Sequence, residues 1–132
     1  MKSNLEIAKE AYAAYVRGEI ESVVRDYATE DVEYHFPGPA VVPYYGAWRG
    51  HAGLLEFFAA IDGAFEILAW EAREFFANDD RIAVYGYAKS RVKATGKVVE
   101  DEWMHLLTMR DGKIARLQGF ENTAESAAAM TA

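Results

Sequence analysis

The stretch Trp103-Met104-His105-Leu106-Leu107-Thr108-Met109, followed at once by Arg110-Asp111-Gly112-Lys113, decides how the rest of the chain is read. It is an extended apolar run closed by a tight-turn signal, one arm of a β-hairpin. A titratable ring, His105, occupies its middle, where an aliphatic side chain would be less costly. A buried polar group without a partner costs about 1–3 kcal/mol. The histidine therefore points either to a hydrogen-bonded core or to a lined cavity.

Alternation along the strand puts Asp101, Trp103, His105, Leu107 and Met109 on one side and Met104, Leu106 and Thr108 on the other. What lies opposite depends on the turn. If Arg110-Asp111-Gly112 is a three-residue loop with Gly112 at the left-handed bulge position, His105 faces Leu117, Trp103 faces Gly119 and Asp101 faces Glu121. If Asp111-Gly112 is a two-residue turn, His105 faces Gln118. The three-residue loop is preferred because it joins Ala115, Leu117 and Gly119 to His105 on one mostly apolar side; Phe120 on the outer face fits it least. On that register Gly119 leaves a gap opposite Trp103 for a neighbour or a ligand. Asp101 and Glu121 become cross-strand neighbours that resist ionising together, so one of them holds a proton near neutral pH.

Working outward, Leu5, Ala8, Tyr12 and Tyr15 or Val16 recur at helical spacing from Asn4 to the stop at Gly18, and Ile20, Val23, Val24 and Tyr27 mark a second short helix ending near Ala28. Residues 32–36 read as a strand stopped by Pro37-Gly38-Pro39, and 37–50 as a long loop rich in aromatics. A third helix spans about 51–61, with Leu54, Phe57, Phe58 and Ile61 on one face and Asp62-Gly63 at its end. Residues 64–77, 81–93, 98–109 and 113–122 form four strands, and the Ala-rich tail from Thr123 is either a helix or frayed. Helices packed on a mostly antiparallel sheet make an α+β fold, one domain over 1–132. In the strand from Arg81, the small or apolar Ile82, Val84, Gly86, Ala88 and Val92 should meet the helices. Tyr85, Tyr87, Lys89, Arg91 and Lys93 on the opposite face suit a second copy of the chain, a homodimer.

Composition narrows the partners. The 132 residues are 52% hydrophobic and carry a net charge of −7, with no basic block, so nucleic acid is excluded as a partner. The first residues turn polar before any apolar segment forms, which argues against a signal peptide and a membrane span. The absence of cysteine removes a disulfide framework and a thiolate nucleophile, and a cytoplasmic location is the expectation. Three histidines without metal-ligand spacing, and no Gly-rich phosphate loop, make a site without metal or cofactor the default.

The segments Gly18-Glu19-Ile20-Glu21, Thr29-Glu30-Asp31-Val32-Glu33, Trp48-Arg49-Gly50 and Arg110-Asp111-Gly112-Lys113-Ile114, in that order and spacing, carry a family likeness. From about residue 4 to 123 the chain resembles the SnoaL-like polyketide cyclases of the nuclear transport factor 2-like superfamily, which also contains the ketosteroid isomerases. The resemblance implies a cystatin-like cone, a sheet curled around one pocket roofed by the first and third helices, and dimerisation. It places His105 where the isomerases keep an aspartic acid that donates to the substrate oxyanion. The isomerase base falls at Phe36, beside His35, and its tyrosine at Ala11, with Tyr15 one turn along. Two of three catalytic positions are lost, which disfavours ketosteroid isomerisation. The acid of the cyclases falls nearest Gly119, with Glu121 two residues on.

These readings converge on a small cofactor-independent enzyme of isomerase, cyclase or hydrolase type acting on a small hydrophobic carbonyl or polyketide-like molecule. His105, with an unperturbed pKa near 6.5, would transfer a proton or polarise the substrate oxygen, with Glu121 or His35 as partner acid or base. Tyr15, Trp48, Phe58 and Trp103 would box a planar ligand beside Leu117 and Gly119, although aromatics serve equally as core filler. The alternative is a non-catalytic ligand-binding or dimerisation module of the same fold.

Overall fold

Local sequence sets the opening of the chain. Ser3 Oγ accepts the Glu6 amide (3.1 Å) while the Glu6 carboxylate accepts the Ser3 amide (3.4 Å), a reciprocal cap that starts α1 (Asn4–Val16). Gly18, at φ 79°, turns the chain into α2 (Ile20–Tyr27). The computed structural model describes residues 1–131. It continues with β1 (Ala28–Phe36), β2 (Gly46–Arg49), α3 (Gly50–Ala64), β3 (Phe65–Asn78), β4 (Arg81–Val92), β5 (Val98–Arg110), β6 (Lys113–Phe120) and α4 (Thr123–Ala129). One sheet runs β2-β1-β6-β5-β4-β3, antiparallel except for the parallel β1–β6 pair. The α+β architecture is the expected one, and α1 and α3 pack on the sheet face that buries Ile82, Val84 and Val92.

Three features depart from the expectation. The loop at 37–50 holds a strand, β2, which pairs with Glu33 to Phe36; four residues are too few to show a period in the sequence. The third helix runs past Asp62-Gly63 to Ala64, because Gly63 keeps a helical backbone there. Asp111 and Gly112 both take positive φ (52° and 74°) and Arg110 pairs with Lys113, so the hairpin closes with a two-residue turn, not a three-residue loop. Such a turn matches the natural twist of the strands.

The hairpin then corrects itself. Met109 pairs with Ile114 but Thr108 with Arg116, leaving Ala115 as a bulge. That one extra residue returns Leu117 and Gly119 to the side of Leu107 and His105. His105 consequently faces Gly119, and the ladder ends at Met104–Phe120. The expected pairs His105–Leu117, Trp103–Gly119 and Asp101–Glu121 do not form.

Bulges also shape the far wall. In β3, Ile67 pairs with Ser90 but Ala69 with Lys89, and Ala72 with Gly86 but Glu74 with Tyr85, leaving Leu68 and Arg73 as extra residues. The inward set thus shifts from Phe65 and Ile67 to Trp70 and Ala72, then to Phe75. Each bulge bends the strand, and together they wrap it around α1.

Glycines allow two rings to lie flat on this sheet. Trp103 folds over its cross-strand partner Gly86, where a Cβ would stand 2.1 Å from the indole Cζ2 and 2.3 Å from the Glu71 carbonyl oxygen. At Gly119 the space is taken by Phe36, whose Cε1 would lie 2.1 Å from an added Cβ. Gly86→Ala should therefore lower the free energy of unfolding by about 1–3 kcal/mol through overpacking. Gly63→Ala, in open space on α3, should be neutral or stabilising by up to about 1 kcal/mol. Urea titration of both variants measures the difference, and equal stabilities would contradict the Trp103 packing on Gly86.

Candidate active site

Between the concave face of the sheet and helices α1 and α3 lies a cavity of about 140 Å³. Its walls are largely aromatic. A ladder of rings leads inward from the helices: Tyr15 to Trp70 (4.7 Å between centroids), Trp70 to Trp103 (4.6 Å) and Trp103 to His105 (4.3 Å). Phe36, Phe57, Phe58 and Leu117 complete the apolar lining. Apolar walls with a few convergent polar groups are the usual composition of a small-molecule site.

The first polar group is His105. Its Nδ1 lies 2.6 Å from the hydroxyl oxygen of Tyr12 on α1. Burial raises the Tyr12 pKa well above its ordinary value, so the phenol stays protonated. The bond closes in one of two senses: the hydroxyl donates to Nδ1, which leaves the ring proton on Nε2, or it accepts from Nδ1–H. Part of the imidazole surface opens onto the cavity, yet the ring lies deep enough for desolvation to push its pKa from 6.5 down to about 3. At neutral pH the ring is uncharged. Desolvation thus favours the neutral imidazole over the imidazolium at this position.

The second polar group sits at the other end of the same face. Glu121 lies two residues beyond Gly119, the partner of His105, which separates the two groups by about 7 Å along the chain. Its carboxylate accepts the Tyr44 hydroxyl. Burial, followed by the nearby charge of Asp101, raises the Glu121 pKa above 4.5, and the Tyr44 hydrogen bond opposes this in part. Asp101 lines the cavity as well and accepts the Asn122 amide (2.6 Å) through Oδ2. The two carboxylates meet through the chain reversal into α4 and not as a ladder pair. Burial and Glu121 in turn raise the Tyr44 pKa, so that hydroxyl keeps its proton.

Of the residues singled out from the sequence, His105, Glu121, Tyr15, Phe58, Trp103 and Leu117 line this cavity. Three do not. His35 alternates with the inward Tyr34 and Phe36 on β1 and so faces the opposite side of the sheet. Trp48 donates its indole N–H to the Tyr44 carbonyl (3.0 Å) and packs on Phe57, bracing the loop from outside. Gly119 is covered by Phe36. Conversely, the sequence did not single out Tyr12, Tyr44 or Trp70. Tyr12 stood in the helical stripe and Tyr44 in an aromatic loop, but no local pattern separates a hydroxyl with a buried partner from core filler. Among the described residues no group of three or more His, Asp or Glu side chains converges to hold a metal ion.

The same architecture recurs in known proteins. The family model of the SnoaL-like domain matches residues 8–117. An uncharacterized protein of Mycobacterium tuberculosis, Rv0034, is 31% identical over 124 residues, covering 89% of this chain and 88% of its own. Among solved structures, an NTF2-like protein from Burkholderia xenovorans is 33% identical with a TM-score of 0.87, covering 97% of this chain and 95% of its own. TerC, co-crystallized with polyporic acid, is 27% identical with a TM-score of 0.81, over 96% of this chain and 97% of its own. With the matched model spanning most of the sheet, most of α1 and all of α2 and α3, the chain belongs to the SnoaL-like domain family.

Proposed function

We propose that the chain is a cofactor-independent acid–base enzyme acting on a small, mostly apolar carbonyl compound. One observation carries this reading: a neutral hydrogen-bond donor, His105, and a carboxyl group of raised pKa, Glu121, open onto the same aromatic cavity. With the Tyr12 hydroxyl donating to Nδ1, the Nε2–H of His105 donates to the carbonyl oxygen and to the enolate oxygen that develops from it. Glu121 removes and returns the proton on the neighbouring carbon. A raised pKa makes it a stronger base than an ordinary carboxylate, and the low-polarity walls strengthen both interactions. That TerC crystallizes with polyporic acid, a small organic ligand, supports a ligand-binding cavity. We further propose a homodimer through the convex face, where the cross-strand partners Met104 and Phe120 are exposed beside Tyr85.

Deuterium incorporation next to the carbonyl of cyclohexanone or acetophenone in D₂O tests the chemistry without a known substrate. Exchange should depend on the protein, fall about 10²–10⁴-fold in Glu121→Gln and about 10²–10³-fold in His105→Leu. Because only ionised Glu121 accepts the proton, the rate should rise with pH through a midpoint above 4.5, and Asp101→Asn should lower that midpoint. A protein that binds these ketones without accelerating exchange is a non-catalytic carrier.

The ring CH resonances of His105 should not titrate from about pH 8 to about pH 5. Stability linked to this residue should decline as pH falls from 6.5 toward about 3, because the unfolded chain takes up a proton that the folded ring refuses. A titration midpoint near neutrality would exclude the neutral-donor role. Sedimentation should give twice the chain mass, and Met104→Glu should return it to the monomer.

A further inference from the structure

The cavity does not end at the helices. A second, open groove of about 700 Å³ adjoins it and shares Tyr15, Phe58, Ile61, Ile67 and Trp70 with it. Those common residues border both spaces, where a mouth between them would lie, and the ring ladder from Tyr15 to His105 runs inward from there. The outer groove is bounded by the C-terminal turn of α1, the start of α2, the exposed side of α3 and the first half of β3.

Its rim is apolar in a way that packing of the fold does not require. Val16 is 61% exposed, Leu55 44%, Ile67 42% and Leu68 41%, and all four line the groove. Leu68 is the bulged residue of β3, released from the pairing ladder. Asp62 is the one charged side chain in the lining.

Size separates the two compartments. A dry cavity of about 150 Å³ holds a benzene molecule, whereas sites for drug-sized ligands occupy about 300–1,000 Å³. The inner chamber, at about 140 Å³, is of the size of one six-membered ring. The outer groove is several times more spacious and nearly uncharged.

We propose that the outer groove is the subsite for an apolar tail, so that the ligand is a single oxygenated ring carrying an alkyl or isoprenoid-like chain. This rests on the reading of the inner cavity as a small-molecule site. The oxygen meets His105 at the far end of the ring ladder, and the chain leaves para to it, past Tyr15 and Trp70, to lie along Leu55, Ile67 and Leu68. The common border of five residues favours this occupant over a separate partner, which would touch the rim without engaging the inner cavity.

Binding of 4-n-alkylphenols from methyl to hexyl, followed by calorimetry, tests the assignment. Full burial of a methylene is worth about 0.8 kcal/mol, close to four-fold in affinity, so a groove that covers one side of the chain should give about two-fold per added carbon. The gain should begin once the chain passes the mouth. In Leu55→Ser combined with Leu68→Ser, the dependence on chain length should flatten, each protein being compared with its own affinity for 4-methylphenol. If 4-methylphenol binds and longer chains add nothing, or if the double variant keeps the full slope, the tail subsite is wrong and the inner site stands. If no member of the series binds, both are wrong.

Discussion

The bulge at Ala115 is the constraint on which the site depends. A two-residue turn at Asp111-Gly112 without it would put Gln118 opposite His105 and send Leu117 and Gly119 to the outer face. One unpaired residue reverses this for the rest of β6. It brings Gly119 beneath His105, makes room there for the ring of Phe36, and delivers Glu121 to the cavity two positions later. The position of both polar groups is thus a property of the sheet backbone, set before any side chain makes contact with a ligand.

Within that frame, charge is controlled by desolvation more than by pairing. His105 is held neutral by burial, and its one hydrogen-bond partner among the described residues is a phenol that stays protonated. Glu121 is held toward its protonated form by burial and by the neighbouring Asp101. One group resists gaining a proton and the other resists losing it. Environments that push two groups in opposite senses assign distinct roles to them.

Fold class and the main strands were legible in the sequence because their signals are periodic: the stripes of α1 and α2, the alternation in β4 and the turn at Asp111-Gly112. The parity of His105 with Leu117 and Gly119 was also reached, though through a three-residue loop where the molecule uses a shorter turn and a bulge. Bulges at Leu68, Arg73 and Ala115 leave no mark in composition, since the residue that drops out of the ladder need not be a glycine. The same limit hid the Tyr12 hydroxyl. Its partner lies 93 residues away, and only the packing of α1 across β5 reveals that one tyrosine of the stripe is bonded while the next, Tyr15, meets Trp70 edge to face.

The bulges of β3 have a second effect. This strand is the outermost of the sheet and is 14 residues long, a length that would ordinarily invite another chain to extend the ladder and begin aggregation. Leu68 and Arg73 interrupt the regular spacing of its free amides and carbonyls, and Glu66, Glu71, Arg73 and Glu74 place charge along it. The irregularity that curves the wall around the cavity also denies foreign strands a straight template, so shaping the interior and staying unaggregated draw on the same two residues.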